Sequence, residues 1–97
     1  DAIVALNDAI AFGAIDALQE AGIPPSDVIM TSVNAEALAV EYIEAGRYLR
    51  GSVRVSREEG SRTALNAAIR LLAGATVPET FQLPPGEMVT RESASSQ

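Results

Sequence analysis

The sequence predicts an α/β fold of three layers, α/β/α, around a small and mostly parallel sheet. Three observations carry the prediction. Short apolar runs alternate with stretches of helical periodicity, in the order β-α-β-α-β-α-β. Each helical stretch closes on a glycine, at Gly22, Gly46 and Gly74. Small polar residues stand where strand gives way to helix: Asn7 and Asp8, Asn34, and Ser56. Such alternation favours parallel strands joined by right-handed crossovers.

Ala2 to Leu6 is a continuous apolar run, as expected for a strand covered on both faces. Asp8 is read as the N-cap of the helix that follows, its carboxylate at the positive end of the dipole. That helix runs to about Ala21, with Phe12, Ile15 and Leu18 flanked by Ala11 and Ala14 as its apolar face. Pro24 and Pro25 keep it from resuming. Val28 to Val33 reads as the second strand, and Glu36 to Ala45 as a helix facing inward through Leu38 and Tyr42, with Ala39 and Ile43 beside them. Ser52 to Val55 forms a third strand that extends back toward Leu49. Ser56, with Glu59 at the capping-box position, starts a helix that runs to about Ala73. Its stripe is Ala64, Leu65, Ala68, Ile69 and Leu72. Beyond Gly74 the prolines at 78, 84 and 85 allow only brief pairing, at Phe81–Leu83 and Met88–Thr90. The organisation is thus a βαβαβ core over residues 1–55, a helix over 56–74, an extended returning tail over 75–92 and a frayed end over 93–97.

Composition removes several function classes. The 97 residues contain no His and no Cys, so neither a Ser-His-Asp nor a Cys-His system can be built from this chain. No carboxylate pair has a spacing that demands a metal, and neither GxGxxG nor GxxxxGK[ST] occurs. No catalytic residue, metal or cofactor is assigned. The net charge is −6, which disfavours direct nucleic-acid binding. Apolar runs are too short to span a bilayer. The chain opens at Asp1 directly on strand-like sequence and is read as a fragment. A small sheet with two faces to cover would then leave apolar surface open, and self-association of the fragment is expected.

In open α/β sheets, ligands bind outside the carboxyl ends of the strands. Asn7 and Asn34 occupy such positions, and an amide that both donates and accepts suits hydroxyl-rich ligands. Asp8 is a weaker candidate, because capping accounts for it. All seven basic residues are Arg, and five of them fall between Arg47 and Arg62. Pairing with Glu44, Glu58 and Glu59 explains most of that cluster. Arg54, near the end of the third strand, is kept as a weaker ligand candidate, with Arg57 beside it.

The order of these segments resembles a known family. DAIVALNDAIAFGAIDALQEAG, DVIMTSVN, IEAGRYLRGSV, SREEGSRTALNAAIRLLAG and the closing LPPGEMVTRES are together similar to the carboxy-terminal third of type I periplasmic binding proteins and of the effector domains of lac-repressor-type regulators. The resemblance implies a two-lobed Venus-flytrap fold with ligand between the lobes. It also implies a hinge at Val55 and Ser56, after which the 56–74 helix packs on the other lobe. Asn7 matches a position that often hydrogen-bonds sugar hydroxyls. Asn34 stands where sugar binders usually carry Asp, and Val55 where importers often carry Gln, two departures that argue against a simple pentose or hexose.

The implied function is noncatalytic binding of a sugar-like solute or related polyol. The first reading is the extracytoplasmic binding component of an ABC importer, partnered by a membrane permease. The alternative is the cytoplasmic effector domain of a regulator that meets operator DNA through another domain. Asn7→Ala and Asn34→Ala are expected to weaken ligand binding while leaving melting nearly unchanged.

Overall fold

A computed structural model describes residues 1–95, which divide into two compact units. One comprises Asp1–Val55 and the residues from Glu87 onward; the other is Ser56–Gly86.

The first unit is a four-stranded mixed sheet in the order β1-β2-β3-β4. The strands are β1 (Ala2–Val4), β2 (Ile29–Val33), β3 (Leu49–Arg54) and β4 (Glu87–Thr90). The first three are parallel and β4 is antiparallel to β3. Between them come α1 (Asp8–Glu20) and α2 (Ala37–Ala45), and α4 (Arg91–Ser95) follows β4. Both crossovers step the same way across the sheet, so right-handed connections put α1 and α2 on one face.

Register shows which side chains share that face. Ile3 aligns with Met30, Ser32 with Ser52, and Ser52 with Val89. These join Ala11 and Ile15 of α1, Ala39 and Ile43 of α2, and Leu49 and Ala94 in a single core. At its carboxyl-end rim this core turns polar, with Asp8, Ser32 and Ser52 buried.

The opposite face is open. Val4 is 85% exposed, and Ile29 and Met88 are about half exposed. Unit 1 therefore supplies two of the three layers, and Ala2 to Leu6 is covered on one face rather than both. In α2 the inward stripe is Ala39 and Ile43, one helical turn apart. Leu38, expected to face the core, is 42% exposed, and Tyr42 is partly buried. Tyr42 instead meets the edge of Phe12, ring centroids 5.4 Å apart, and carries the Arg47 guanidinium over its ring at 4.4 Å. Gly46 ends α2 at φ 72°, a left-handed conformation that glycine adopts without penalty. Tyr48 adopts φ 62° with a side chain, buried with its hydroxyl donating to the Ile23 carbonyl.

The tail and the end depart from expectation. Met88–Thr90 pairs within β4, whereas Phe81–Leu83 forms no strand. The end expected to fray is helical through Ser95. Thr90 and Ser93 bond reciprocally, the Thr90 N–H donating to Ser93 Oγ and the Ser93 N–H to Thr90 Oγ1. This capping-box exchange holds the first turn, and Ala94 reaches the core. Ser96 and Gln97 lie outside the described residues.

The second unit holds α3 (Arg57–Leu72) and the irregular segment to Gly86. Ser56 is the N-cap, its hydroxyl accepting from the Glu59 N–H at 3.1 Å. No residue of α3 is buried.

Candidate functional site

The carboxyl ends of β1, β2 and β3 bring Asn7, Asn34 and Arg54 to one rim of the first unit. The geometry there is built on Asp8. Its side chain is fully buried. One oxygen, Oδ1, accepts from Ser32 Oγ at 2.5 Å and from Ser52 Oγ at 2.7 Å. The other, Oδ2, accepts from the Glu36 N–H at 2.7 Å. Ser52 Oγ also accepts from the Ala35 N–H at 2.9 Å. A carboxylate accepting three donors at the positive end of a helix is matched to its surroundings without a cationic partner. Among the described residues, no buried side-chain polar atom lacks a partner.

This corrects the reading of the first junction. Asn7, not Asp8, is the N-cap: its backbone is extended, and Oδ1 accepts from the Ile10 N–H at 3.0 Å. Asp8 is the first helical residue and points into the core. The reason is phase. One residue further on, the side chain turns from the helix end toward the sheet, where two serine hydroxyls await it. Its oxygens are engaged by Ser32, Ser52 and the Glu36 N–H. Asn7 is partly buried and uses its oxygen for the cap, which leaves its amide N–H₂ as the group with donors to offer.

Asn34 follows β2 with its N–H donating to the Val53 carbonyl at 2.8 Å. Its φ is 115° and that of Ala35 is 51°, so two successive non-glycine residues hold left-handed backbone. Such conformations cost about 1–3 kcal/mol each and persist where the surroundings over-determine them. The two bonds from residues 35 and 36 to Ser52 and Asp8 are those surroundings.

Arg54 is the last residue of β3 and is exposed, in register with Glu87. Two other arginines of the cluster have local partners. Arg50 donates to the Pro25 carbonyl at 3.1 Å, and Arg62 pairs with Glu58 at 2.7 Å and Glu59 at 3.5 Å. Val55 closes the first unit and Ser56 opens the second. Within the second unit, Thr63, Asn66, Ala67, Arg70 and Phe81 line an open groove of about 210 Å³ that includes none of the candidate residues.

Sequence reasoning missed Ser32 and Ser52. A signal existed for Ser32, a small hydroxyl in an apolar run two residues after Met30, whereas Ser52, three residues after Leu49 in a strand that carries two arginines, had none. A polar side chain at such a position needs a buried partner.

Comparison with known proteins gives the family. Residues 1–94 match the model of the periplasmic binding protein-like domain, and the chain belongs to that family. It is 33% identical over 94 residues to the HTH-type transcriptional repressor MelR of Bacillus subtilis (strain 168), covering 96% of this chain and 26% of that protein. Among solved structures it is similar to an ABC transporter solute binding protein from Bacillus halodurans C-125 with bound myo-inositol. That similarity has 32% identity and a TM-score of 0.77, covering 99% of this chain and 32% of the other. It is also similar to the binding component of the arabinose ABC transporter from Shewanella sp. ANA-3, bound to α- and β-L-arabinofuranose. There the identity is 27% and the TM-score 0.77, over 98% and 31% of the two chains. The chain thus spans about a quarter to a third of the length of these relatives. Among the described residues no helix is long and apolar enough to cross a membrane.

Proposed function

We propose that this chain is the carboxy-terminal part of a noncatalytic receptor for a small hydroxyl-rich solute, a sugar or related polyol. The observation that carries the reading is the rim itself. Asn7 and Asn34 stand at the ends of adjacent parallel strands, and the backbone presenting Asn34 is held left-handed at two successive residues. Sugar and inositol ligands in the similar binding proteins support the solute class. Val55 and Ser56 act as the hinge, which the division of the chain between them supports. The α3 stripe then packs on a second lobe, and closure of the lobes is the signal. Arg54 stands at the same rim as a secondary contact.

Two outputs fit such a receptor. The similar importer components favour delivery of solute to a membrane permease outside the cytoplasm. The likeness to MelR favours an effector domain in the cytoplasm, acting on operator DNA through another domain. The two readings part on one measurement. In the full-length protein, ligand either changes affinity for the DNA upstream of its own gene or leaves the protein without DNA affinity at all.

The test of the receptor reading is calorimetric titration of the full-length protein with myo-inositol and L-arabinose. Asn34→Ala is expected to weaken the better of these at least tenfold. Asn7 must be changed to Asp rather than Ala, because Asp keeps the capping oxygen while exchanging the N–H₂ donors for a second, charged acceptor oxygen. Asn7→Asp is expected to weaken binding by about fivefold to tenfold, corresponding to about 1–1.4 kcal/mol for a hydrogen bond lost in a cleft. Unchanged affinity in both variants would remove Asn7 and Asn34 from the site.

A further inference from the structure

We infer that Ser52 is a positioning residue for the solute-binding loop, acting with Asp8 to hold Asn34 in its left-handed backbone. The inference deepens the receptor reading and rests on it for the role of Asn34. Its basis is an asymmetry between two serines. Ser32 and Ser52 are both buried, align in register on neighbouring strands, and donate to the same oxygen, Asp8 Oδ1, at 2.5 and 2.7 Å. Only Ser52 then reaches the loop, its Oγ accepting from the Ala35 N–H at 2.9 Å. Asp8 reaches the same loop through Oδ2 and the Glu36 N–H at 2.7 Å.

The chain of bonds runs from the first turn of α1, across β3, to the residues just after Asn34. A fully buried carboxylate has no rotameric freedom to spend, so it fixes both arms at once. The loop needs that restraint. Residues 34 and 35 sit at φ 115° and 51°, and released backbone of this kind relaxes toward the β or right-handed region. Relaxation would swing the Asn34 side chain away from the rim that Asn7 shares. Ser52 therefore tunes affinity without touching solute.

The matched pair Ser52→Ala and Ser32→Ala tests this. Each removes one buried hydroxyl bonded to Asp8, so a role confined to holding Asp8 predicts equal effects, and the titration split separates positioning of Asn34 from loss of the Ala35 bond itself. The primary reading is amide exchange at Ala35 and Glu36 in the ligand-free full-length protein, which requires no knowledge of the solute. Ser52→Ala is expected to speed exchange at these two amides at least tenfold more than Ser32→Ala does, with similar midpoints in urea. The same pair should split in titrations with myo-inositol and L-arabinose, with a loss near tenfold for Ser52→Ala and under threefold for Ser32→Ala. Should Ser52→Ala fail to fold, Asp8→Asn replaces it. The amide keeps the volume and one acceptor but presents a donor to one arm, and faster exchange confined to residues 34–36 is expected. Equal acceleration in the serine variants, or none in either, overturns the inference. Failure of the wild type to bind any probe counts against the receptor reading alone, and the exchange comparison still decides the positioning of the loop.

Discussion

Two helical regions with similar patterning have opposite fates in this chain. α1 and α2 bury Ala11, Ile15, Ala39 and Ile43 against the sheet, and α1 adds the buried Asp8. α3, the longest helix at 16 residues, carries an apolar stripe of Leu65, Ile69 and Leu72 and buries nothing. Leu72 is 89% exposed. Amphipathic periodicity reports which face of a helix seeks a partner. It does not report whether that partner lies within the same stretch of chain. For α1 and α2 the partner is the sheet. For α3 the proposed partner is a second lobe, since contiguous exposed apolar surface of this kind marks an interaction site.

The largest effect that tests the contrast comes from truncating one residue in each region of the 97-residue chain. Ile15 is fully buried, and Ile15→Ala should cost about 3 kcal/mol in urea unfolding, within the range for buried aliphatic side chains cut to Ala. Leu72→Ala should cost under about 0.5 kcal/mol, as exposed substitutions do. A cost above about 1 kcal/mol at Leu72 would mean that the stripe is already covered in solution, by a second copy of the chain, and light scattering would show that copy directly.

Much of this contrast was legible in the sequence, for reasons that can be named. Strand and helix spans followed from apolar periodicity and from stops such as Gly46, where local rules act alone. Ser56 was recognised as a cap because Glu59 completes its pattern. The carboxyl-end position of Asn34 followed from the alternation of elements. What failed depended on phase or on distant partners. Asn7 and Asp8 are both good caps, and only the position of Ser32 and Ser52 on the core face decides which side chain turns inward. Leu38 and Ala39 differ by one step around α2, and the smaller residue took the buried place in the core. The end from residue 93 reads as polar and loose, yet Thr90 and Ser93 together close a short helix there. Of the left-handed pair, Asn34 is of a type that adopts positive φ readily, but Ala35 carries no sequence mark for it.

A second comparison sets the two N-caps against each other. Asn7 caps a helix whose face is buried, and Ser56 caps one whose face is open. Removing either cap costs about 1 kcal/mol, but the cost should surface in different observables. Asn7→Ala should lower the cooperative stability of unit 1 by about that amount, because α1 cannot fray without opening the core. This replaces the expectation that Asn7→Ala would leave melting nearly unchanged. Ser56→Ala should leave the midpoint of that transition in place and instead speed exchange at the first-turn amides of α3, Glu59 among them. A shared shift of the cooperative midpoint in both variants would mean that α3 is coupled to the core and that the contrast drawn from burial is false.

The smallest effect is expected where the geometry looks strongest. Arg62 lies 2.7 Å from Glu58 and 3.5 Å from Glu59, one turn away on α3, with side chains 58%, 79% and 46% exposed. Spacings of three and four residues are right for helical ion pairs, yet such exposed pairs contribute about 0.3–0.5 kcal/mol, and salt screens them. Arg62→Ala should therefore change amide exchange in the first two turns of α3 by about twofold to fivefold, with the difference vanishing in 1 M salt. An effect that survives high salt would show that Arg62 is held by more than its two glutamates. Such a partner could lie on the face of α3 that the chain leaves open. Arg62 would then join Leu72 as a reporter of what covers α3, one sensing charge and the other sensing apolar contact.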